Sequence, residues 1–369
     1  MSALGWVPVA LGRGTDVYLF LAGMMALAAY AKLGGIFEWI AARAVRVAGS
    51  SRGRLFALVY LCGIGTTALF SNDATIVALT PAVIAALRRY DAAPFPYVMA
   101  CALIANAASF LLPISNPSNL LVFAGHMPLL SNWLRAFALP SCAAIAVTFL
   151  LAWVCFRRDL AGRASTLDAS EAPRPDVLTL VLVGAAALGI VLTSARGGPL
   201  GAVTFACGAI VGLATAVRDR AGAATIVREI SWRVIALTAV LFVIVGAFDN
   251  AGGLGAARAA LAWCASLPAP WSALATGFGV AVMSNAINNL PVGLSLGETL
   301  PMLPAAMHVA RAALVGVNLG PNATVNGSLA TLLWIGIVRR ANIPLGPFAF
   351  ARIGLLVTVP ALAAALVLL

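Results

Sequence analysis

The sequence predicts an all-α polytopic membrane protein, an inverted-topology repeat with two re-entrant hairpins and two broken transmembrane helices. Three observations predict it. The 369 residues are 62% hydrophobic and only 9% charged, with a mean hydropathy of +1.01; a soluble globule carries roughly 25% charged residues. Polar phrases interrupt apolar stretches at four places: SNDAT from Ser71, PISNPSN from Pro113, SNAINNLP from Ser284 and NLGPNATVNGS from Asn318. These form two pairs at matching places in the two halves. Buried polar groups are costly in hydrocarbon unless they line a cavity, and paired breaks of this kind mark a repeat-built transporter with a midplane site. Gly34-Gly35 aligns with Gly252-Gly253, Ser71-Asn72 with Ser284-Asn285, and Asn116 with Asn326.

The elements follow in order. Residues 16–33 form a first crossing helix. Residues 55–87 form a hairpin with its tip at SND, flanked on both sides by arginines (Arg52 and Arg54 before, Arg88 and Arg89 after). Each arm is short for a crossing, so the hairpin enters and leaves on one face. By the positive-inside rule that face is cytoplasmic. Residues 97–125 form a helix broken by Pro113 and Pro117. Residues 134–156 return to Arg157-Arg158. Residues 157–176 are polar and Pro-containing, a linker between halves. Helices 177–193 and 199–217 go out and back, and 233–249 goes out. Residues 268–303 form the second hairpin; it carries no basic residue and should enter from the opposite face. Residues 304–338 form the second broken helix, ending at Arg339-Arg340, and 346–368 the last crossing. The domain reading is a first repeat at 1–156, the linker at 157–176 and a second repeat at 177–369. By this arithmetic the first repeat lacks a counterpart of the pair 177–217.

Composition also excludes functions. The net charge is +11, and 22 of the 23 basic residues are Arg. They sit in short loops and form no stripe interleaved with aromatics, so nucleic acid is not an expected partner. The six cysteines are scattered singly with no CxxC or metal spacing, and no metal or cofactor is expected. There is no phosphate-binding GxxxxGK[ST] and no hydrolytic signature, so the chain reads as no enzyme.

The four breaks supply the candidate site. A broken helix leaves unpaired carbonyls on one half and unpaired N–H groups on the other. Backed by amide and hydroxyl side chains, these can replace a small solute's hydration shell. The first hairpin offers Ser71, Asn72 and Thr75. The first break offers Ser115, Asn116 and Asn119. The second hairpin offers Asn285, Asn288 and Asn289, and the second break Asn318, Asn322, Thr324, Asn326 and Ser328. Asp73 is the only acid placed deep in the membrane and is the proton-coupling candidate, since a carboxylate there should be paired, metal-bound or protonated. The single lysine, Lys32, is read as snorkelling at a helix end. No deep cation is expected beside the site, which argues against a dicarboxylate guest.

At GIFEWIA (35–41), RGRLF (52–56), LFSNDATIVALTPAVI (69–84), NNLPV (288–292) and NLGPNATVNGSLATLLW (318–334), the chain resembles the arsenite/antimonite efflux permeases, within the ion-transporter superfamily that also holds dicarboxylate symporters and some sodium/proton antiporters. Some members place Asp in the first broken helix where this chain has Asn106. The resemblance implies a multi-pass protein of the bacterial inner membrane that exports trivalent arsenic or antimony against proton entry. The implied partners are a small neutral metalloid, protons, membrane lipid and, in some members, a soluble ATPase subunit. A sodium- or proton-coupled organic-anion symporter and a cation/proton antiporter are the other activities that the superfamily implies.

Overall fold

The computed structural model describes residues 6–88, 90, 92–123, 126–164, 174–303 and 306–369, and every regular element among them is helical. The first is a short helix, α1 (Val7–Arg13). After it come the crossing helix α2 (Thr15–Leu33) and an amphipathic helix α3 (Ile36–Ala48) that the reading of crossings above does not include. The first hairpin runs through α4 (Arg52–Ala74), a π-helical stretch at Thr75–Leu79, and α5 (Thr80–Leu87). The first broken helix is α6 (Phe95–Ala107) and α7 (Pro117–Phe123). Helix α8 (Leu130–Leu160) runs four residues into the predicted linker, whose residues 165–173 lie outside the described ones.

The second half contains α9 (Val177–Arg196), α10 (Leu200–Arg218), a short amphipathic α11 (Arg220–Glu229), α12 (Trp232–Asn250) and α13 (Gly255–Ser266). Its hairpin is α14 (Trp271–Ile287) with α15 (Asn289–Thr299). Its broken helix is α16 (Ala306–Leu319) with α17 (Leu329–Arg340), and α18 (Pro347–Val367) closes the chain. Seven helical stretches among the described residues are long and apolar enough to cross a membrane. Six correspond to predicted crossings; the seventh, Arg52–Leu87, is the first hairpin. The broken helices are built from shorter pieces, parted at Pro113 and Pro117 in the first and at Gly320-Pro321 in the second.

The first hairpin turns at Ser71, whose φ of 79° and ψ of 164° lie outside helical geometry. The Thr67 and Thr75 hydroxyls are 2.7 Å apart across this turn. Eight residues of straight helix would separate them by about 12 Å, so the chain folds back on itself. Asn288 makes the same turn in the second hairpin, at φ 78° and ψ 150°. Two further backbone features recur. Gly35 and Gly252 share φ values of 74° and 78° at the same spacing as Ser71 and Asn288. Asn116 (φ −155°, ψ 134°) and Ser328 (φ −143°, ψ 155°) each cap the helix that resumes after a break.

Matched by backbone conformation, the two halves pair differently from their sequence motifs. Ser71-Asn72 corresponds to Asn288-Asn289, one helical turn beyond Ser284-Asn285, and Asn116 corresponds to Ser328 rather than Asn326. In the hairpin the shift has a simple origin: Ser284 and Asn288 are four apart on one helix face, and both carry small polar side chains.

Two packing devices hold the frame. Helices α2 and α10 approach at backbone distance, with Gly23 against the backbone of Thr204 and Phe205, and Gly208 against Gly23; any side chain at Gly23 would collide with that backbone. Close approach through small residues is how helices associate in lipid, where apolar burial gives little drive. On the other side, Phe56 of α4 meets Tyr60, Tyr97, Phe149, Trp153 and Phe156, which ties α4, α6 and α8 through edge and tilted ring contacts.

Candidate functional site

All four interruptions meet. A central cavity of ≈ 20 Å³ is lined by Asn72, Asp73, Asn116, Pro117, Asn289, Leu290, Ser328, Leu329 and Ala330, together with Leu21 and Val234 from the crossing helices. The first nine are the opening residues of four helical segments: the second arm of hairpin one, α7, α15 and α17. A helix start leaves N–H groups without intrahelical partners; in α7 Pro117 has none and Ser118 N–H is taken by Asn116 Oδ1, while Asn288 Oδ1 and Ser328 Oγ each take one in α15 and α17. An idealised helix N-terminus carries about half a positive charge, so one carboxylate does not cancel four of them. The centre therefore favours a guest rich in oxygen acceptors.

Asp73 sits between two spaces. It lines the central cavity and also a wider inner cavity of ≈ 410 Å³ that includes Ser71, Met24, Met25, Lys32, Arg228, Glu229 and Leu333. The inner cavity opens toward the arginine-rich face. On the opposite face, an outer cavity of ≈ 350 Å³ is bounded by Arg13, Asp16, His126, Leu120, Leu294 and Glu298 and does not reach Asp73. Arg13 and Glu298 are joined there at 2.6 Å. Among the described residues, Asp73 lines the inner cavity and not the outer one.

Asn72 is 2% exposed, and its Oδ1 has no hydrogen-bond partner. An unpaired buried acceptor costs about 1–3 kcal/mol. Its Oδ1 therefore has unused capacity for a guest's donor beside Asp73. Asn289 Nδ2 reaches Ser118 Oγ at 3.3 Å, a long bond that ties hairpin two to α7. Asn116 Oδ1 accepts from Ser118 N–H and its Nδ2 donates to Asn318 at 2.7 Å.

The remaining predicted residues do other work. Asn318 donates to Asn119 Oδ1 and to Leu314 O while accepting from Asn116, so every amide valence is used. Asn119 Nδ2 lies within 3.3 Å of the carbonyls of Ser109, Leu112 and Pro113. Asn322 bonds to Leu103 O and accepts from Asn106. Asn285 donates to Ala281 O and Gly320 O and accepts from Thr324. Ser115 bonds to Leu112 N–H and Ala68 O, and Thr75 to Thr67. Asn288 Nδ2 donates to Asn326 O, while the Asn326 side chain is exposed.

Ser115, Asn119, Asn318, Asn322, Asn285, Thr324 and Thr75 therefore satisfy backbone freed by the breaks, or each other, and are not in the wall of the central cavity. Sequence alone does not separate these roles, because a break needs amide side chains both to repair its carbonyls and to face its cavity. Lys32 lies in the last turn of α2. It lines the inner cavity with Asp73 and is paired with Glu229 at 3.0 and 3.1 Å. With Arg228 it places cations within the space that leads to the site.

A model of the CitMHS family, described as citrate transporters, matches residues 2–325. The arsenical pump membrane protein of Yersinia enterocolitica is 32% identical over 354 residues, covering 89% of this chain and 80% of that protein. The arsenical pump membrane protein of Escherichia coli K12 is 31% identical over 346 residues with the same coverage. An uncharacterized transporter of Mycobacterium tuberculosis, Rv2684, is 25% identical and covers 97% of this chain. Among solved structures, the YdaH transporter of Alcanivorax borkumensis superposes with a TM-score of 0.61 over 99% of this chain and 86% of its own, at 16% identity. That likeness is one of fold.

Proposed function

Because this chain belongs to the arsenical pump membrane protein family of multi-pass transporters, within the group described as citrate transporters, we propose that it exports trivalent arsenic and antimony by proton antiport. The observation that carries the reading is the convergence of four helix starts, Asp73 and the unpartnered Asn72 on one small cavity. Arsenous acid is neutral at pH 7 and presents both hydroxyl donors and oxygen acceptors. Its oxygens suit the free N–H groups; its hydroxyls suit Asn72 Oδ1 and the Asp73 carboxylate.

Antiport follows from competition for one carboxylate. Ionised Asp73 accepts a hydrogen bond from the guest. Protonated Asp73 is a donor and holds the guest less well. Proton entry then releases the guest on one side, and proton loss readies the site on the other. The central space of ≈ 20 Å³ admits about one water molecule, so a guest must open it, and the inner cavity is its approach from the arginine-rich, cytoplasmic face. The recurring backbone conformations support an inverted repeat, in which re-entrant hairpins and broken helices move against α2, α10 and α12 to alternate access. The membrane is the bacterial inner membrane on this reading.

The test is arsenite accumulation in inverted membrane vesicles with and without an imposed proton gradient. Gradient-dependent accumulation by the wild type, lost in Asp73→Asn, is the expected result. Accumulation indifferent to the gradient would sink the antiport mechanism. One observation favours a second reading, a proton- or sodium-coupled organic-anion symporter: Lys32 and Arg228 share the inner cavity with Asp73. Citrate uptake by right-side-out vesicles in place of arsenite export would establish it.

A further inference from the structure

The inner cavity broadens at its mouth into a cleft of ≈ 530 Å³, continuous with it through Lys32, Val77, Glu229 and Leu333. Arg88 and Arg340 line this cleft, and Arg228 lines the adjoining wall. The four cations come from separate elements: the end of α2, the residue after α5, α11 and the end of α17. One carboxylate, Glu229, faces them, and Lys32 already holds both of its oxygens. Among the described residues, Arg88, Arg228 and Arg340 enter no ion pair. Lys32, Arg88 and Arg340 sit at helix C-termini, whose partial charge offsets only about half a unit each.

We propose that this mouth is a binding site for a small polyanion bearing carboxylate or phosphate groups. The positive-inside rule explains why arginines lie on this face. It does not explain why they converge on one concavity of small-molecule size. Guanidinium forks take carboxylate and phosphate oxygens in pairs, whereas neutral arsenous acid gains little from them. The site lies outside the Asp73 core and is independent of which guest that core carries. Its occupant shares one chemistry but has two sources, a soluble anion or the headgroup of an anionic lipid.

The experiment is calorimetric titration of citrate, and separately inorganic phosphate, into the purified full chain in phosphatidylcholine nanodiscs at low salt. Saturable citrate binding is expected, weakened about tenfold in the Arg88→Gln/Arg340→Gln double variant. An unchanged unfolding midpoint shows that the double variant is folded. A second arm uses nanodiscs containing phosphatidylglycerol. Weaker citrate binding there, in wild type, identifies the lipid headgroup as occupant; equal binding identifies a soluble anion. Absence of saturable binding to wild type in neutral lipid, or equal affinity in the double variant, would overturn the site. Arsenite accumulation by the wild type and the double variant in sealed inverted vesicles separates this outcome from failure of the exporter reading.

Discussion

Ser71 and Asn288 occupy a positive-φ, extended-ψ backbone region that is essentially confined to glycine, and each marks a point where a helix must reverse. Ser71→Gly should preserve the fold, and Ser71→Val should destabilise it by roughly 1–3 kcal/mol, read from the unfolding midpoint in detergent. Equal midpoints would show that the turn is not the constraint. Asn318 tests the division between repair and binding. Its side chain joins Asn116 and Asn119, so Asn318→Ala leaves two buried amides short of partners, at about 1–3 kcal/mol each. The expected phenotype is lost stability, with residual transport scaling with folded protein. Asn72→Ala should do the opposite: its Oδ1 has no partner to lose, so stability holds while apparent affinity for the guest falls. The asparagines were legible in the sequence as a set, but their individual duties were not. An amide that mends a broken helix and one that faces a guest differ only in what surrounds them.

At the scale of elements, the contact of α2 with α10 depends on Gly23 lying against the backbone of Thr204. Gly23→Val must push these helices apart, and a loss of several kcal/mol is expected, since overpacking against backbone has no flexible neighbour to absorb it. Reduced yield of folded protein by size-exclusion chromatography, with Gly12→Val unaffected as a control in open space, checks this. The crossing helices follow directly from hydropathy, because twenty apolar residues have few alternatives in lipid. The hairpin at Ser71 and the breaks at Pro113 and Gly320 follow from polar residues and prolines. Helix α3 and α11 are less visible in hydropathy: they are amphipathic and short, and a crossing-length window passes over them. Glu229 on α11 then closes the inner cavity against Lys32, a contact between elements almost two hundred residues apart.

At the scale of the whole molecule, the inner and outer cavities make an orientation test. In a cysteine-free background, Leu333→Cys should react with a membrane-impermeant thiol reagent from the arginine-rich face, and His126→Cys from the opposite face. Labelling of both from one side would contradict two cavities separated by a closed centre. The sequence by itself determined the solvent: with 9% charged residues, most of this chain can only fold in a bilayer. It also determined where helices must break, because proline and clustered amides cannot be carried through hydrocarbon unassisted. Only the tertiary structure decided which of the polar side chains face the cavity and which face one another. It alone placed Lys32, Arg228 and Asp73 around one space. The reason is that periodicity constrains each helix's own faces, while the meeting of residues far apart in the chain depends on how those helices pack.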